Sequence, residues 1–382
     1  MNILMISIGD SILSNPMGDV IQRQEKYAQS LGYIDMIVFS PKQHNLDVKH
    51  FKNFTIYPTH SWGMLTFVYD VYKIAKKIIE KKQIDVITTQ DPFGTALAGY
   101  FLKKRYNIPL HIQNHSSFLD NKLWIEEKPF LFRLFNRLSY FTLKQADRLR
   151  VVNTQEKQKY IDVLGINPDK IDVAPVPINI EFWQTRPSQK EINEFIRKYK
   201  IDTTKPILSW AGRMVKVKNL PYLFNVIFLI QKQQDINFLI AGDSKNSFWN
   251  LKELEKKYNI QPIYLPVLSH HELKILYYIT TLYLHTSNYE GFGLVVAEAQ
   301  ACGSVVISRA TAGTSDIIED SKSGYLVLND EEKFSKKILE LLDNKDKLAG
   351  MQDYAFKMIA SKFIKNQMFQ NVVKSITDTQ II

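Results

Sequence analysis

The chain has 382 residues, too many for one ordinary core and suited to two domains of roughly 190 residues each. Its 45% hydrophobic and 23% charged residues, with only 15 Gly and 14 Pro, exclude a disordered, collagen-like or low-complexity protein. The single cysteine, Cys302, excludes a disulfide framework and a thiolate metal cluster, so we expect a cytoplasmic protein. A formal charge of +10 allows an anionic partner and leaves nucleic acid, phosphorylated metabolite and acidic lipid surface open.

Residues 1–9 lack the charged start and long apolar core of a signal peptide and predict a first β-strand. Later apolar runs stay short of the roughly 20 residues that a spanning helix needs. Short β-branched or apolar runs alternate with helical patterns, which is typical of parallel sheets built from βαβ units. This rhythm occurs twice, with strands predicted at 3–8, 34–39, 86–89, 110–113 and 149–152, and at 207–211, 237–241, 263–265, 282–285 and 304–307.

The predicted fold class is therefore α/β, with two Rossmann-like β/α/β domains. Pro175, Pro177 and Pro187 lie close together, and proline suits linkers, so we place the domain boundary near residue 183. The first domain is predicted at 1–183 and the second at 184–361. The tail at 362–382 has apolar residues at helical spacing and is expected to complete the first domain.

A glycine turn follows the predicted strand 282–285. Gly291 and Gly293 precede a strong helical pattern, so backbone N–H groups and a helix N-terminus would form an anion site there. Glu290 and Glu298 flank the turn, and carboxylates beside a phosphate site suggest recognition of sugar or ribose hydroxyls. The plainer interpretation is an ordinary glycine turn with surface glutamates.

A second glycine turn follows the strand 207–211. Gly212 is followed by Arg213 and Lys218, two cations that would neutralise a diphosphate without a metal. The alternative is a solvated basic loop.

Other ligand motifs do not fit. A dinucleotide fingerprint would require a small residue at Val296, no Walker-type phosphate loop occurs, and the eight histidines form no metal-binding motif. We therefore expect no metal and no cofactor.

The segment EGFGLVVAEAQACG at 290–303 resembles the signature of the retaining glycosyltransferases of family four, in which two glutamates flank seven residues. That family has the GT-B architecture, two Rossmann-like domains facing each other across a cleft. The resemblance covers nearly the whole chain. It implies an acceptor-binding first domain and a donor-binding second domain.

The resemblance also implies roles for individual residues. Glu290 would contact the donor sugar, Glu298 the ribose, and Arg213 and Lys218 the diphosphate. His115 would lie beside the transferred sugar, although a packed or capping histidine is the alternative. The remaining implied donor contacts are Gly18, Gly212, Gly242, Asp243, Val267, Gly291, Phe292, Gly293, Leu294 and Gly313.

The resemblance implies transfer of a hexose or N-acetylhexosamine, with retention, from a nucleoside-diphosphate sugar. A UDP-sugar ranks slightly before GDP-mannose. The acceptor is expected to be a glycan or lipid-linked, as in surface polysaccharide, glycolipid or glycoprotein glycan assembly. A small soluble acceptor and a non-catalytic nucleotide- or nucleic-acid-binding protein are the alternatives, although the basic clusters lack the interleaved aromatics of a nucleic-acid site.

Two basic stretches, 71–82 and 130–149, suggest docking on an anionic membrane, at the inner face of the cell membrane. An ordinary helix with a solvated face is the alternative for each. In the second stretch, helical spacing predicts a basic face and a separate apolar face. The basic face holds Arg133, Arg137, Lys144 and Arg148, and the apolar face holds Leu131, Leu134, Phe135, Leu138 and Phe141.

Overall fold

The computed structural model describes residues 1–9, 13 and 19–381. The chain forms two compact units, Met1–Pro175 together with Phe369–Ile382, and Val176–Met368. The chain leaves the first unit after residue 175, before the boundary predicted near residue 183. It returns to the first unit at residue 369, after the boundary predicted at residue 361. The Arg150 side chain explains the first difference, because it donates hydrogen bonds to the carbonyl groups of Ala174 and Pro175 and holds them in the first unit.

In the part of the chain that the structure describes, the first unit contains an eight-stranded sheet of order β3-β4-β2-β1-β5-β6-β7-β8, parallel except between β3 and β4. The strands are β1 (Asn2–Ser7), β2 (Tyr33–Val38), β3 (Lys49–His50), β4 (Phe54–Pro58), β5 (Val86–Thr89), β6 (Leu110–Asn114), β7 (Arg148–Val151) and β8 (Ile171–Val173). The helices are α1 (Asp19–Leu31), α2 (Met64–Ile79), α3 (Gly94–Tyr106), α4 (Lys122–Ile125), α5 (Pro129–Gln145) and α6 (Thr154–Leu164).

The second unit contains, among its described residues, a parallel six-stranded sheet of order β11-β10-β9-β12-β13-β14. Its strands are β9 (Ile207–Ala211), β10 (Asn237–Ala241), β11 (Ile263–Leu265), β12 (Leu282–His285), β13 (Val305–Arg309) and β14 (Gly324–Val327). Its helices are α7 (Ile180–Gln184), α8 (Gln189–Tyr199), α9 (Leu220–Gln231), α10 (Leu251–Tyr258), α11 (His270–Ile279), α12 (Leu294–Ala301), α13 (Ala312–Ile317), α14 (Glu331–Leu342) and α15 (Lys345–Lys362).

Both sheets have buried central strands, as expected when helices cover both faces. All residues of β9, β10, β12 and β13 are buried, and α9 packs its apolar residues against them. A parallel sheet places all its carboxyl-terminal turns at one edge, and this fixes where the polar turn residues meet.

Helix α16 (Lys365–Thr377) returns the chain to the first unit, to which its residues from Phe369 onward belong. Phe369 stacks on Tyr27 with ring centroids 4.9 Å apart. The hydroxyl of Ser375 donates to Asp172 at 2.6 Å and lies 3.0 Å from His111 Nε2. These contacts bury the apolar side chains that the tail carries at helical spacing.

The two basic stretches differ from their predicted form. Arg148 is not on a helix: it lies on β7, where its guanidinium donates to both carboxylate oxygens of Asp172 at 2.6 and 2.8 Å. Leu134 and Phe141 are exposed on the same side of α5 as the cations, so the predicted separation into two faces is wrong. Helix α2 ends at Ile79, before the last two lysines of 71–82.

None of the described helices is both long enough and apolar enough to cross a membrane.

Candidate functional site

The candidate site lies at the carboxyl edge of the second unit's sheet. Strands β9 and β12 are parallel neighbours, so the turns that follow Ala211 and His285 emerge side by side. The first turn carries Lys218 at the end of a short 3-10 helix, and the second carries Glu290. Two residues that are far apart in sequence are thereby brought together.

Lys218 and Glu290 form an ion pair, with Nζ 2.6 Å from Oε2. Their side chains are 16% and 23% exposed, so the pair is largely buried but remains accessible to solvent. Burial would raise the pKa of Glu290, but its hydrogen bond with His285 and the charge of Lys218 outweigh burial and hold that pKa well below the usual range. Glu290 is therefore an ionised hydrogen-bond acceptor.

Hydrogen bonds join the two turns around this ion pair. The hydroxyl of Thr286 donates to the Lys218 carbonyl at 2.9 Å, and the backbone N–H of Asn288 donates to the Val217 carbonyl at 2.8 Å. The side-chain amide of Asn219 donates to Asn288 Oδ1 at 3.0 Å. These contacts fix the backbone that carries the ion pair, so the site is preorganised.

His285 ends β12 beneath Glu290 and is buried. Its Nδ1 lies 3.0 Å from the Ser308 hydroxyl, and its Nε2 lies 3.0 Å from the Ser287 hydroxyl and 3.5 Å from Glu290 Oε2. Burial lowers the pKa of His285, and the hydrogen bond with Glu290 opposes this only in part. The neutral imidazole of His285 therefore helps to hold the Glu290 carboxylate in place.

The glycine turn leads into the N-terminus of α12. Gly293 is the N-cap and has φ of +90°, a left-handed conformation that suits glycine. The first N–H groups of an α-helix have no partner within it, and among the described residues no side chain caps this one. Leu294 is partly exposed at the first position, whereas the ring of Phe292 is buried edge-on to Phe363. Backbone N–H groups are therefore what this turn offers to an anion.

Gly313, predicted to contact the donor, packs against the backbone of the glycine turn. Its N–H donates to the Glu290 carbonyl at 3.2 Å. A Cβ at this position would lie 2.6 Å from the Phe292 carbonyl oxygen and 2.7 Å from that of Gly291. The structure therefore gives Gly313 a supporting position behind Gly291 and Phe292.

Glu298 lies within α12 and is buried. Burial raises its pKa to about 8, so a large fraction of this carboxyl is protonated near neutral pH. Glu290 and Glu298 thus have opposite shifts. A protonated carboxyl can donate as well as accept a hydrogen bond.

Gly212 and Gly242 follow the neighbouring strands β9 and β10. Their turns are in close contact, because a Cβ on Gly242 would overlap the carbonyl oxygen of Gly212. Arg213, next in the chain, is exposed, and its guanidinium forms no ion pair with a described residue. Its charge is therefore available to a ligand.

Asp243 and Val267 lie farther along the same edge. Asp243 is exposed and accepts hydrogen bonds from the backbone N–H and side-chain amide of Asn246, at 3.2 and 2.7 Å. These bonds lower its pKa. Val267 is exposed after β11. Neither residue contacts the Lys218–Glu290 pair.

His115 belongs to the first unit, directly after β6. Its Nε2 lies 3.0 Å from Gln90 Oε1, which follows β5. Burial, with the charges of Arg150 and Arg23, lowers the pKa of His115 to about 3, so the imidazole is neutral at physiological pH. Gly18, also predicted in this unit, lies outside the described residues.

Sequence reasoning missed His285 and Asn288, which support the site, and Gln90, which contacts His115 in the first unit. Each is a polar residue at or just after the end of a buried parallel strand, and that position was a usable signal.

Among the described residues, no group of three His, Cys, Asp or Glu side chains could hold a metal ion.

The chain matches two family models that together span most of its length. Residues 191–358 match the glycosyl transferases group 1 model, and residues 21–182 match the Glycosyltransferase Family 4 model. This chain belongs to the group 1 glycosyltransferases and has the GT-B fold. The family does not favour a nucleic-acid-binding protein or a non-catalytic module.

Relatives of this glycosyltransferase cover most of its length at low identity. A Klebsiella pneumoniae protein described as uncharacterized, in the cps region, is 27% identical, over 80% of this chain and 82% of its own. A probable sucrose-phosphate synthase of Thermosipho melanesiensis is 26% identical, over 82% and 76%.

Solved structures resemble the fold closely. A sucrose-phosphate synthase from Thermosynechococcus elongatus has a TM-score of 0.79, covering 99% of this chain and 98% of its own, at 18% identity. HepE of Anabaena, solved with UDP and glucose, has a TM-score of 0.75, covering 99% and 100%, at 16% identity.

Proposed function

We propose that this glycosyltransferase moves a hexose or N-acetylhexosamine from a nucleoside-diphosphate sugar to a glycan or lipid-linked acceptor, with retention of configuration and without a metal. The second unit binds the donor, the first binds the acceptor, and the reaction takes place on the cytoplasmic side of a membrane. The observation that carries this proposal is the Lys218–Glu290 pair beside the uncapped N-terminus of α12. A cation, a carboxylate that accepts hydrogen bonds from sugar hydroxyls, and the N–H groups of a helix N-terminus suit the binding of such a donor.

The charges support departure of the diphosphate without a metal. Lys218 and the exposed Arg213 supply two cations, and the first N–H groups of α12 supply further donors. Each donor aimed at developing negative charge can be worth about 3 kcal/mol, by analogy with oxyanion holes. Electrostatic stabilisation of the leaving group is therefore the main catalytic effect that we propose.

The ion pair of Glu290 with Lys218 supports a front-face reaction over a double displacement. A double displacement needs one carboxylate as nucleophile and a second group as acid and base. Glu290 is held by Lys218, and Glu298 is buried within α12, so neither is free to attack the anomeric carbon. We propose that the acceptor hydroxyl attacks on the face from which the diphosphate leaves. A leaving phosphate oxygen then takes the proton of that hydroxyl.

The donor is proposed to be a UDP-sugar, with GDP-mannose second. HepE was solved with UDP-glucose, which supports UDP by fold analogy. A lipid-linked or polymeric acceptor is supported by relatives and neighbours that include a cps-region protein and an outer core galactosyltransferase, WaaB. The sucrose-phosphate synthases among them favour a small soluble acceptor as the second candidate.

The test is a thermal-shift screen with UDP-, GDP- and ADP-sugars, followed by product analysis. A ligand that binds the folded state raises the melting temperature by mass action. With the stabilising donor, we expect NMR of the product to show the donor's anomeric configuration, both with and without EDTA. An inverted product would contradict the front-face reaction, and loss of turnover in EDTA would contradict metal independence.

A further inference from the structure

Helix α5 exposes an apolar stripe on its outer face. Phe130, Leu134 and Phe141 are 90%, 56% and 41% exposed. Spacings of four and seven residues place these side chains on one side of a helix. These large apolar side chains form a stripe along one side of the helix, in contrast to the isolated exposed residues that are normal on a surface.

Basic side chains lie between and beside these apolar residues. Arg133, Arg137 and Lys144 are exposed on the same side of α5, and the helix contains no Asp or Glu. The neighbouring helix α3 extends the surface, because Phe141 packs edge-on against Tyr100 with centroids 4.9 Å apart. Helix α3 also has no acidic residue and exposes Phe101 and Lys104.

The inner face of α5 is already filled by aromatic packing. Phe132 stacks on Trp124 with centroids 4.5 Å apart, and Phe135 stacks on Phe93 at 5.2 Å. The side-chain hydroxyl of Tyr140 and the side-chain amide of Asn136 both donate to the Asp120 carboxylate. The orientation of α5 is therefore fixed, and its apolar stripe is held toward solvent.

The other basic stretch, 71–82, lacks such a stripe. Among its described residues no large apolar side chain is exposed. Lys76 pairs with Glu80, and Lys82 pairs with the buried Asp35. The same helix exposes Met64 and Tyr69 before this stretch, so the lysines of 71–82 serve as a control for basic charge outside α5.

We propose that the outer face of α5, extended by Phe101 and Lys104 of α3, docks on an anionic lipid bilayer. The aromatic and leucine side chains enter the boundary between headgroups and acyl chains, and the surrounding cations contact lipid phosphates. Charge decides between this occupant and a second copy of the chain, because two copies joined by this face would bring like charges together.

This surface lies in the first unit, and α5 starts on the chain after His115, which follows β6. In a parallel sheet, the segment that leaves a strand begins at the carboxyl edge. The start of α5 therefore lies toward the carboxyl edge and its end toward the amino edge, where β7 begins, so docking would hold this side of the first unit along the bilayer. Membrane binding does not depend on the donor chemistry proposed above.

Vesicle flotation with the full chain tests the docking surface. The probes are vesicles of phosphatidylcholine alone or with about 30% phosphatidylglycerol, at about 50 mM and about 500 mM NaCl. We expect binding to the anionic vesicles at low salt and its loss at high salt. Equal binding to both compositions, or no binding, would overturn the proposal.

Two variants and one control assign the effect to α5. Arg133→Gln/Arg137→Gln/Lys144→Gln should lower partitioning by about 100-fold, and Phe130→Ser/Leu134→Ser should lower it at unchanged charge.

The matched control, Lys73→Gln/Lys76→Gln/Lys77→Gln, should keep most of the binding. An equal loss in the control would overturn the proposal, as would a wild-type dimer that Phe130→Ser/Leu134→Ser dissociates. Thermal shift with UDP-sugars, unchanged in all three variants, checks folding and separates this result from the donor site.

Discussion

Lys218 Nζ lies 2.6 Å from Glu290 Oε2, and this contact joins the turn after β9 to the turn after β12. Each charge has its partner before any donor is bound. In the proposed reaction, a diphosphate at the N-terminus of α12 adds a second anion beside Lys218, so the lysine would contact both the leaving group and the Glu290 carboxylate. In the proposed mechanism, the ion pair would connect recognition of the sugar to stabilisation of the departing charge.

Gly313→Ala is expected to displace the glycine turn and lower both stability and donor affinity. The new Cβ would meet the backbone carbonyl of Phe292 at 2.6 Å, where no flexible side chain can move aside. Overpacking of this kind costs about 1–3 kcal/mol. Urea unfolding measures the free energy of unfolding, and UDP-sugar titration measures the affinity.

The control is Gly350→Ala, a helical glycine with nothing within 4 Å of its Cβ position. This substitution should stabilise α15 by about 0.5–1 kcal/mol and leave donor affinity unchanged. A Gly313→Ala protein that matches this control in both measurements would show that the close packing against the turn is unimportant.

Glu298→Gln should stabilise the unliganded protein, increasingly so as pH rises. Burial raises the pKa of Glu298 to about 8, above its unfolded value, so the folded state holds a proton that the unfolded state releases. The wild type therefore loses stability between about pH 4.5 and pH 8, and the glutamine variant lacks this loss.

At pH 8 the gain should be roughly 1–4 kcal/mol in the free energy of unfolding. Donor affinity should fall at the same time if Glu298 binds the ribose. Urea unfolding from pH 5 to pH 8 gives the slope, and parallel pH profiles for the two proteins would refute the raised pKa.

His285→Phe should impair turnover while leaving the fold intact. The phenyl ring keeps the shape of the buried side chain but removes its contacts with Ser287, Ser308 and Glu290, the last 3.5 Å away in the wild type. A hydrogen bond to a charged group is worth about 1.5–3 kcal/mol, so kcat/KM should fall about tenfold or more. His271→Phe, on an exposed residue of α11, should leave kcat/KM unchanged. Equal effects of the two substitutions would remove His285 from its positioning role.

The sequence predicted much of the second unit because its strands are short, buried and bounded by turn residues. The strands predicted at 207–211, 237–241, 263–265 and 282–285 agree with the structure. In the first unit β3, β4 and β8 were missed, and β4 ends in Pro58, a residue that is unusual in a strand. It lies at the last position of β4, where the loss of its N–H is tolerated.

The network around the site was harder to predict. The motif at 290–303 located Glu290 and the glycine turn, and the lysine of the other turn was recognised by its charge. The link through Asn288 depends on how two turns some 70 residues apart meet across neighbouring strands, and the position of His285 depends on its contact with Ser308 of the next strand. A single sequence contains no signal for such distances. Leu134 and Phe141 were misplaced because helical spacing defines faces without saying which face the neighbouring elements cover.

The central claim is that Lys218 stabilises the departing diphosphate. The direct test is the single-turnover rate of nucleoside-diphosphate release by Lys218→Ala, beside the wild type and Lys216→Ala, an exposed lysine in the same 3-10 helix. We predict a fall of about 100-fold or more for Lys218→Ala, and little change for Lys216→Ala. A Lys218→Ala rate within about threefold of the wild type would contradict the account.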